Sequence, residues 1–314
     1  ALLIFSIPMI IGNLFQQAYT IVDSAIVGRY VGETALAAVG ASYALTSIFI
    51  CIAIGGGIGA SVIISHHFGA HNYGRMKTCI RTALLSFLFI SLILGGIGLI
   101  FSQQIMEVLN TPADAIDIAV TYLNIYFLGL PFLFMYNILS SMFNALGESR
   151  IPLYLLIFSS VLNIFLDLYM VAVLNWGVAG AAYATFIAQG ISAVLSLIIF
   201  VVTLQQLQGK AEGWFSKTEF SDMSRIALPS ILQQSTVSIG MMLVQSVVNS
   251  FGTQILAGFS AAMRIESLCV VPMSAIGNAM SSYTAQNIGA EKEERISQGY
   301  RTGNFMIIVI AVIL

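Results

Sequence analysis

Long apolar runs, separated by short polar or charged breaks, dominate this chain of 314 residues. A helix needs about 20 apolar residues to cross the roughly 30 Å hydrocarbon core of a bilayer, and most of these runs are long enough. The breaks predict eight complete spans and the start of a ninth near Gly303. The eight are Leu2–Gly28, Thr34–Ser65, Thr78–Phe101, Ala115–Phe143, Pro152–Leu174, Ala179–Leu204, Ser224–Ser250 and Gln254–Ala285. The pattern therefore predicts an all-α, polytopic membrane protein.

Composition supports a lipid bilayer as the environment. Hydrophobic residues make up 58% of the chain and charged residues only 8%, against about 25% charged in a typical soluble domain. A net charge of −2 without a basic stripe argues against nucleic acid as a partner. The scattered cysteines, Cys51, Cys79 and Cys269, predict neither a disulfide framework nor a metal site. No nucleophile, metal cluster or phosphate-binding loop is evident, so we do not predict an enzyme.

Lysine and arginine are distributed unevenly over the predicted loops. Ten of the twelve basic residues lie in four alternate loops, His66–Arg81, Glu148–Arg150, Lys210–Arg225 and Lys292–Arg301. The opposite loops contain Arg29 alone, and Arg264 lies within the eighth span. Because cytoplasmic loops are enriched in Lys and Arg, these four loops are predicted to be cytoplasmic. We expect a multi-pass protein of the cytoplasmic (inner) membrane.

The chain resembles itself at an offset of about 220 residues. The turn Gly69-Ala70 recurs as Gly289-Ala290, and Arg75 recurs as Arg295. Each repeat contains six spans, an even number, so both copies enter the membrane in the same orientation. Parallel repeats of this kind are related by an axis along the membrane normal and handle substrate between the halves.

The repeat predicts two six-helix bundles related by a pseudo-two-fold axis. Residues 1–204 are expected to form the amino-terminal bundle and residues 205–223 a cytoplasmic linker. Residues 224–314 are expected to begin a carboxy-terminal bundle that is truncated here. We therefore expect the chain to be a piece of a longer protein with twelve spans.

Two acidic residues stand alone in apolar runs. Asp23 is the only charged residue from Ala1 to Gly28, and Asp167 is the only one from Ile151 to Asn175. A carboxylate at the bilayer centre costs about 2.5–3.5 kcal/mol on insertion scales, and such acids usually face a protein interior or water for a functional reason. Burial disfavours the charged form, so protonation is the chemistry we expect. The residues leave Na⁺ open as an alternative ligand.

Helical spacing places further polar groups beside the two acids. Tyr19 and Asn163 each lie four residues before an aspartate and therefore on the same helix face. At about 1.5 Å per helical residue, Thr185 in the sixth span lies at the same depth, in the outer half of the membrane. We predict one cation-binding or coupling site formed by Asp23, Asp167, Asn163, Tyr19 and Thr185.

The second half has no acid at the position that aligns with Asp23, where Leu243 or Val244 stands. Other polar or flexible side chains within the spans are candidates for a substrate cavity: Gln16, Asn137, Gln234, Gln245, Met241, Arg264 and Glu266. Interhelical hydrogen bonding is the alternative explanation for the polar ones. Arg264 and Glu266 are interpreted as buried charges that do not face each other along their helix, so each needs another partner.

The three histidines, His66, His67 and His71, lie close together in sequence. The corresponding positions of the second repeat are Gln286, Asn287 and Glu291. We therefore predict a solvated cytoplasmic loop at the histidines. No metal ion is expected beyond Na⁺ at Asp23 and Asp167.

Three stretches resemble the multidrug and toxic compound extrusion (MATE) transporters. They are Ile21–Gly28 (IVDSAIVG), Val161–Asp167 (VLNIFLD) and Trp176–Ala182 (WGVAGAA), together with Leu228-Pro229 at the start of the second half. The likeness covers essentially the whole chain. It implies a V-shaped pair of six-helix bundles that couples H⁺ or Na⁺ entry to the export of small organic, often cationic or amphipathic, compounds. It also implies a monomer without a cofactor, of which this chain covers the first eight to nine of twelve spans.

The bacterial and archaeal branch related to DNA-damage-inducible F proteins gives the nearest resemblance. It implies that Tyr19, Asp23, Asn163, Asp167 and Thr185 form the amino-lobe cation-binding network. Other branches place an acid in the seventh span, where this chain has Val237, so a carboxy-lobe cation site is not expected. The alternative function is a flippase for lipid-linked saccharide precursors on a related fold. Flippases of this kind carry several cationic residues in the cavity, where this chain offers only Arg264.

Overall fold

The computed structural model describes residues 2–108, 115–249 and 253–313. Within these ranges the chain forms nine long helices and no strands, which confirms the all-α prediction. They are α1 (Leu2–Tyr30), α2 (Glu33–Gly69), α3 (Tyr73–Val108), α4 (Ile116–Ala145), α5 (Arg150–Asp167), α6 (Gly177–Gln206), α7 (Lys217–Asn249), α8 (Thr253–Gly289) and α9 (Glu293–Ile313). A π-helix, Leu168–Val173, continues α5 directly.

Seven helices in the described ranges, α1 to α7, are long and apolar enough to cross a membrane, so the chain is a polytopic membrane protein. The eighth predicted span is a continuous helix of 37 residues. Its described residues do not reach the same apolarity, because the second half of α8 is rich in Ser, Asn and Gln.

Several helices begin earlier than the sequence predicted. α3 begins at Tyr73 instead of Thr78, α7 at Lys217 instead of Ser224, and α9 at Glu293 instead of near Gly303. The extra turns carry charged side chains. A hydropathy pattern detects only the apolar part of such a helix. The helix itself is held by backbone hydrogen bonds and extends into polar sequence. Residues 207–216 therefore connect α6 to α7, a shorter segment than the predicted 205–223 linker.

The four basic loops of the sequence become four connections at one end of the helices. They are residues 70–72, 146–149, 207–216 and 290–292, and we call this end the basic side. The cluster of histidines differs from the predicted solvated loop. His66 and His67 belong to the last turn of α2, and His67 Nε2 lies 3.0 Å from Glu219 Oε2 with side chains only 12% and 7% exposed. His67 is shielded from solvent because α2 and the early start of α7 pack together there.

The connection 207–216 is fixed along the first turns of α3. Lys77 Nζ donates to the carbonyl oxygens of Leu207 at 2.7 Å and Gly209 at 2.9 Å. The Arg81 guanidinium lies 4.6 Å from the centroid of the Trp214 ring, a cation–π contact. Hydrogen bonds from a charged donor are shorter and stronger than neutral ones. This connection therefore has a defined position against the first repeat.

Glycines let α2 pack closely against its neighbours. A Cβ atom at Gly55 would come within 2.7 Å of the Ile231 main chain in α7, and one at Gly59 within 2.6 Å of the Met223 carbonyl oxygen. Gly56 faces the Phe87 ring of α3 in the same way. In membranes, small residues allow helices to approach until their backbones touch. α2 is thus the helix around which α3 and α7 pack.

The two repeats meet on the basic side, where α2 crosses α8. Gly69 lies against the main chain of Gln286, and Gly289 lies against the main chain of His66, so neither position has room for a Cβ atom. His66 and Gln286 occupy corresponding positions of the repeat. The contact is therefore reciprocal, as a two-fold relation between the repeats would give.

The two turns beside this crossing have the same backbone structure. The N–H groups of residues 70, 71 and 72 donate to the carbonyl oxygens of residues 66, 68 and 67 at 3.0–3.1 Å. Those of residues 290, 291 and 292 donate to residues 286, 288 and 287 at 2.9–3.0 Å. His71 and Glu291 both have a φ of 55°. The repeat is present in local structure as well as in sequence.

Candidate cation site

The five residues predicted to form a cation site lie together where α1, α5 and α6 meet. The Asn163 amide connects them. One end of it lies 2.7 Å from Tyr19 Oη and 2.8 Å from Asp167 Oδ2, and the other lies 3.2 Å from Thr185 Oγ1. The carboxyl group of Asp23 lies next to that of Asp167. Three helices thus converge on one polar cluster.

Helix geometry explains this arrangement. Tyr19 and Asp23 are four residues apart on α1, as are Asn163 and Asp167 on α5, so each pair lies on one face of its helix. On α6, a Cβ atom at Gly180 would lie only 3.2 Å from the Met170 main chain. This small residue brings the start of α6 close to the end of α5.

Asp167 is the last residue of regular α-helix before the π-helix Leu168–Val173. After the π-helix, the N–H of Leu174 donates to the Tyr169 carbonyl and that of Trp176 donates to the Met170 carbonyl, both at 3.0 Å. Such wide turns are rare and occur often at functional sites. The change of helix type therefore coincides with the buried acid.

The two carboxyl groups are incompletely hydrogen-bonded. Asp167 is 0% exposed and Asn163 2% exposed, while Asp23 is half-buried. The Oδ1 atoms of Asp23 and Asp167 are both buried and have no hydrogen-bond partner among the described residues. An unpartnered buried carboxylate is costly, and two adjacent carboxylates repel each other. Oxygens in this situation are good ligands for a proton or a hard cation.

The Asn163 amide fits between its neighbours in two orientations. With its nitrogen toward α1, it donates to Asp167 Oδ2 and Tyr19 Oη, and the amide oxygen accepts from Thr185. In the reverse orientation Tyr19 Oη donates to the amide oxygen, and the amide nitrogen donates to Thr185 Oγ1. The first orientation suits a charged Asp167, because only a donor should face a carboxylate.

α4 contributes a residue that the sequence analysis missed. Tyr122 packs against the apolar cluster formed by Val27, Val171, Val178 and Ala181, and it lies near both Asp23 and Asp167. One helical turn further on, Tyr126 Oη donates to the Thr46 carbonyl at 3.3 Å. The sequence did contain a signal for Tyr122. It lies four residues before Tyr126, and the same spacing separates Tyr19 from Asp23.

Comparison with known proteins supplies the family. The MatE family model matches residues 8–169 and 229–314. The chain belongs to the MatE family. It is 33% identical over 296 residues, or 94% of its length, to the probable multidrug resistance protein YpnP of Bacillus subtilis (strain 168). It is 30% identical over 325 residues, or 99% of its length, to the probable multidrug resistance protein YoeA of the same strain.

This MatE chain spans 66% of the length of YpnP and 69% of the length of YoeA. It also resembles a solved structure described as the outward-facing conformation of a multidrug resistance MATE family transporter of the MOP superfamily. That match has a TM-score of 0.89 at 25% identity and covers 99% of this chain and 69% of the other. The helices described above are therefore arranged as in MATE transporters.

The candidate substrate residues of this MatE chain do not line one described cavity. Asn137 is half-buried and donates from Nδ2 to the Leu133 carbonyl at 2.8 Å. Gln234 is half-buried, while Gln16 and Met241 are exposed. The side chains of Gln245 and Arg264 lie outside the described residues.

The sequence interprets Glu266 as a buried charge; among the residues that the structure describes, its side chain is exposed.

An apolar cavity of about 660 Å³ lies between α2, α3 and α7, away from the basic side. None of the candidate substrate residues whose side chains the structure describes (Gln16, Asn137, Gln234, Met241 and Glu266) lines it. Its lining residues are Leu45, Ser47, Ile48, Phe101, Gln104, Ile105, Val108, Ser238, Ile239, Met242 and Leu243. Cavities of this size and apolar character suit small organic molecules.

Proposed function

We propose that the protein to which this chain belongs is a cation-coupled multidrug efflux antiporter that works by alternating access. The observation that carries the proposal is the pair of adjacent acids, Asp23 and Asp167, each with a buried carboxyl oxygen that has no hydrogen-bond partner among the residues described by the structure. Membership of the MatE family and likeness to two probable multidrug resistance proteins support export of small organic compounds. We infer that these compounds are cationic or amphipathic and that the protein acts as a monomer.

The membrane orientation follows from the basic side. Because cytoplasmic loops are enriched in Lys and Arg, we place the basic side at the cytoplasmic face of the inner membrane. The Asp23–Asp167 site then lies in the outer half of the amino-terminal bundle. In the conformation described here, the contact between α2 and α8 closes the cytoplasmic side. This contact supports the assignment of the conformation to an outward-open state.

The Asn163 amide offers a link between protonation and structure. When Asp167 is charged, the amide nitrogen can donate to it across 2.8 Å. When Asp167 takes up a proton, its hydroxyl can donate to the amide oxygen in the reverse orientation, and Tyr19 can donate to the same oxygen. Protonation would thus reverse the direction of two hydrogen bonds of the Asn163 amide, the one to Tyr19 on α1 and the one to Thr185 on α6. A hydrogen-bond change shared by three helices is a means of shifting their packing.

Na⁺ is the second ion that this cluster can bind. Carboxylate, amide and hydroxyl oxygens of Asp23, Asp167, Asn163 and Thr185 form a hard-oxygen donor set. Either ion drives transport only if it binds one conformation more tightly than the other. No observation on this chain favours the flippase alternative over the antiporter.

Dye efflux from cells that express the intact protein tests the proposal. Asp23→Asn keeps the size of the side chain but removes the ionisable group, and we expect it to abolish efflux of a cationic dye without lowering the amount of protein in the membrane. Asp117→Asn, at an exposed acid in the first turn of α4, is the matched control and should transport normally. Undiminished efflux by Asp23→Asn would refute the proposal.

A further inference from the structure

A second cavity lies on the basic side, between the two repeats. It has a volume of about 350 Å³. The start of α1 and the α2–α3 turn form one wall, and the end of α8 with the start of α9 forms the other. Along α1, Phe5 at this cavity is about 27 Å from Asp23, at about 1.5 Å per helical residue. The cavity is therefore separate from the cation site, and the proposed transport mechanism does not use it.

The lining of this cavity is positively charged. Lys292 and Arg295 line it from the second repeat, and the lining residues that the structure describes include no carboxylate. The acids Glu291 and Glu293 are neighbours in sequence but do not line it. Both Lys292 and Arg295 are exposed, and neither forms an ion pair within the part of the chain that the structure describes.

The neutral polar groups of the lining are already hydrogen-bonded within the protein. Gln286 Nε2 donates to the Ala145 carbonyl at 2.7 Å. Asn287, only 6% exposed, donates from Nδ2 to the Tyr283 carbonyl at 2.7 Å. The cationic side chains are therefore the charged donors available to a ligand.

Apolar side chains complete the lining. Leu2, Phe5 and Phe68 lie among its residues. The cavity thus combines cationic groups with an apolar surface at the level where the helices leave the membrane. A ligand that suits both parts is anionic at one end and apolar at the other.

We infer that this cavity binds a phosphate group, carried by the headgroup of an anionic phospholipid or by a soluble phosphate ester. Arg and Lys make strong charge-assisted hydrogen bonds to phosphate oxygens, and Arg does so with two donors at once. Anionic lipids of the cytoplasmic leaflet attract basic residues close to the membrane surface. Leu2, Phe5 and Phe68 would contact the glycerol and upper acyl carbons of such a lipid.

Because this cavity lies between the two repeats, ligand binding there affects conformation. Its walls belong to both repeats, so it is complete only while α2 and α8 are in contact on the basic side. A ligand that binds one conformation better shifts the population toward it. The phosphate ligand would therefore stabilise the conformation closed on the basic side. This consequence for transport rests on the proposed function, but binding itself does not.

Native mass spectrometry of the intact, detergent-solubilised protein tests binding without transport. The probes are dioctanoyl phosphatidylglycerol, dioctanoyl phosphatidylcholine and glycerol 3-phosphate. The test variant is Lys292→Gln/Arg295→Gln, and the control is Lys210→Gln/Arg225→Gln. The control removes the same charge from exposed residues on the same side that do not line the cavity.

The wild type and the control should retain phosphatidylglycerol in preference to phosphatidylcholine. The test variant should bind phosphatidylglycerol about thirtyfold more weakly, since two basic residues near anionic headgroups are lost. Binding of glycerol 3-phosphate as well would assign a general phosphate site, whereas binding of the lipid alone would assign the lipid headgroup. Equal binding by the test and control variants, or no preference for phosphatidylglycerol, would overturn the inference. Either result leaves the dye-efflux test of Asp23→Asn unaffected, so the two proposals fail separately.

Discussion

The cation site and the α2–α8 crossing lie at opposite ends of this molecule and differ in how completely their groups are satisfied. At the candidate cation site, the Oδ1 atoms of Asp23 and Asp167 are buried and have no hydrogen-bond partner within the described part of the chain. At the crossing, Ser65 Oγ and Gln286 Nε2 both donate to the Ala145 carbonyl, at 3.3 Å and 2.7 Å. The unsatisfied oxygens at one end are the basis of the proposed ion binding, while the hydrogen bonds at the other end contribute to the contact between the two repeats.

The comparison predicts that the largest effect on transport comes from the buried acid. In Asp167→Asn we expect transport to be lost, because the ionisable group is gone. The melting temperature in detergent should stay the same or rise, because a buried group that carries charge is replaced by a neutral one of equal size. Transport in proteoliposomes and thermal unfolding of the same sample check both parts. Loss of transport together with a large fall in melting temperature would indicate a structural role for Asp167 instead.

The second prediction concerns the crossing and is an effect on stability. A Cβ atom at Gly69 or Gly289 would meet the main chain of the opposite helix, which cannot move aside easily. Gly69→Ala should therefore cost about 1–3 kcal/mol, as overpacking does elsewhere. The control is Gly96→Ala in α3, where a Cβ atom has no neighbour within 4 Å and alanine favours the helix. If chemical denaturation finds the two variants equally stable, the crossing is not a fixed contact.

The third prediction concerns Tyr122, the residue from α4. Tyr122→Phe removes a hydroxyl group near both acids, and one hydrogen-bonding group is worth about 0.5–1.5 kcal/mol. We expect the ion concentration that gives half-maximal transport to change by about two- to tenfold while some transport remains. Tyr126→Phe is the matched control, since its hydroxyl bonds to the Thr46 carbonyl instead. If both variants change this ion concentration equally, Tyr122 is not part of the site.

The smallest expected effect is on the connection 207–216. Lys77→Gln removes the charged donor that holds the carbonyl groups of Leu207 and Gly209. Limited proteolysis should cut the connection several times faster in this variant, because a local hydrogen-bonded segment opens more often once its contacts are lost. Arg225→Gln, at an exposed residue of α7 outside the connection, keeps those contacts and should be cut at the wild-type rate. Transport should change little in either variant.

The sequence predicted that the residues of the candidate cation site lie together, because helical geometry determines both face and depth. A single charge in an apolar run identifies Asp23 and Asp167, and a spacing of four residues adds Tyr19 and Asn163. Tyr122 was missed because tyrosine has an apolar ring and does not interrupt the hydrophobic pattern. The π-helix after Asp167 was not predictable, since a shift of hydrogen bonding by one residue leaves no mark on composition.

The crossing was only partly predictable from sequence. The repeat identified Gly69 and Gly289 as corresponding residues, but contact between them depends on how the two repeats pack in three dimensions. The early helix starts at Tyr73, Lys217 and Glu293 were missed for a related reason. Hydropathy detects where lipid can surround a helix, whereas hydrogen bonding and packing of the whole chain determine where a helix begins.

The central claim is that ion binding at Asp23 and Asp167 drives export. The most direct measurement is substrate transport by the intact protein in proteoliposomes, under an imposed pH gradient and, separately, under an imposed Na⁺ gradient. The account predicts that at least one gradient drives transport by the wild-type protein and that neither drives it in Asp23→Asn/Asp167→Asn. Gradient-driven transport at the wild-type rate in that double variant would contradict the account.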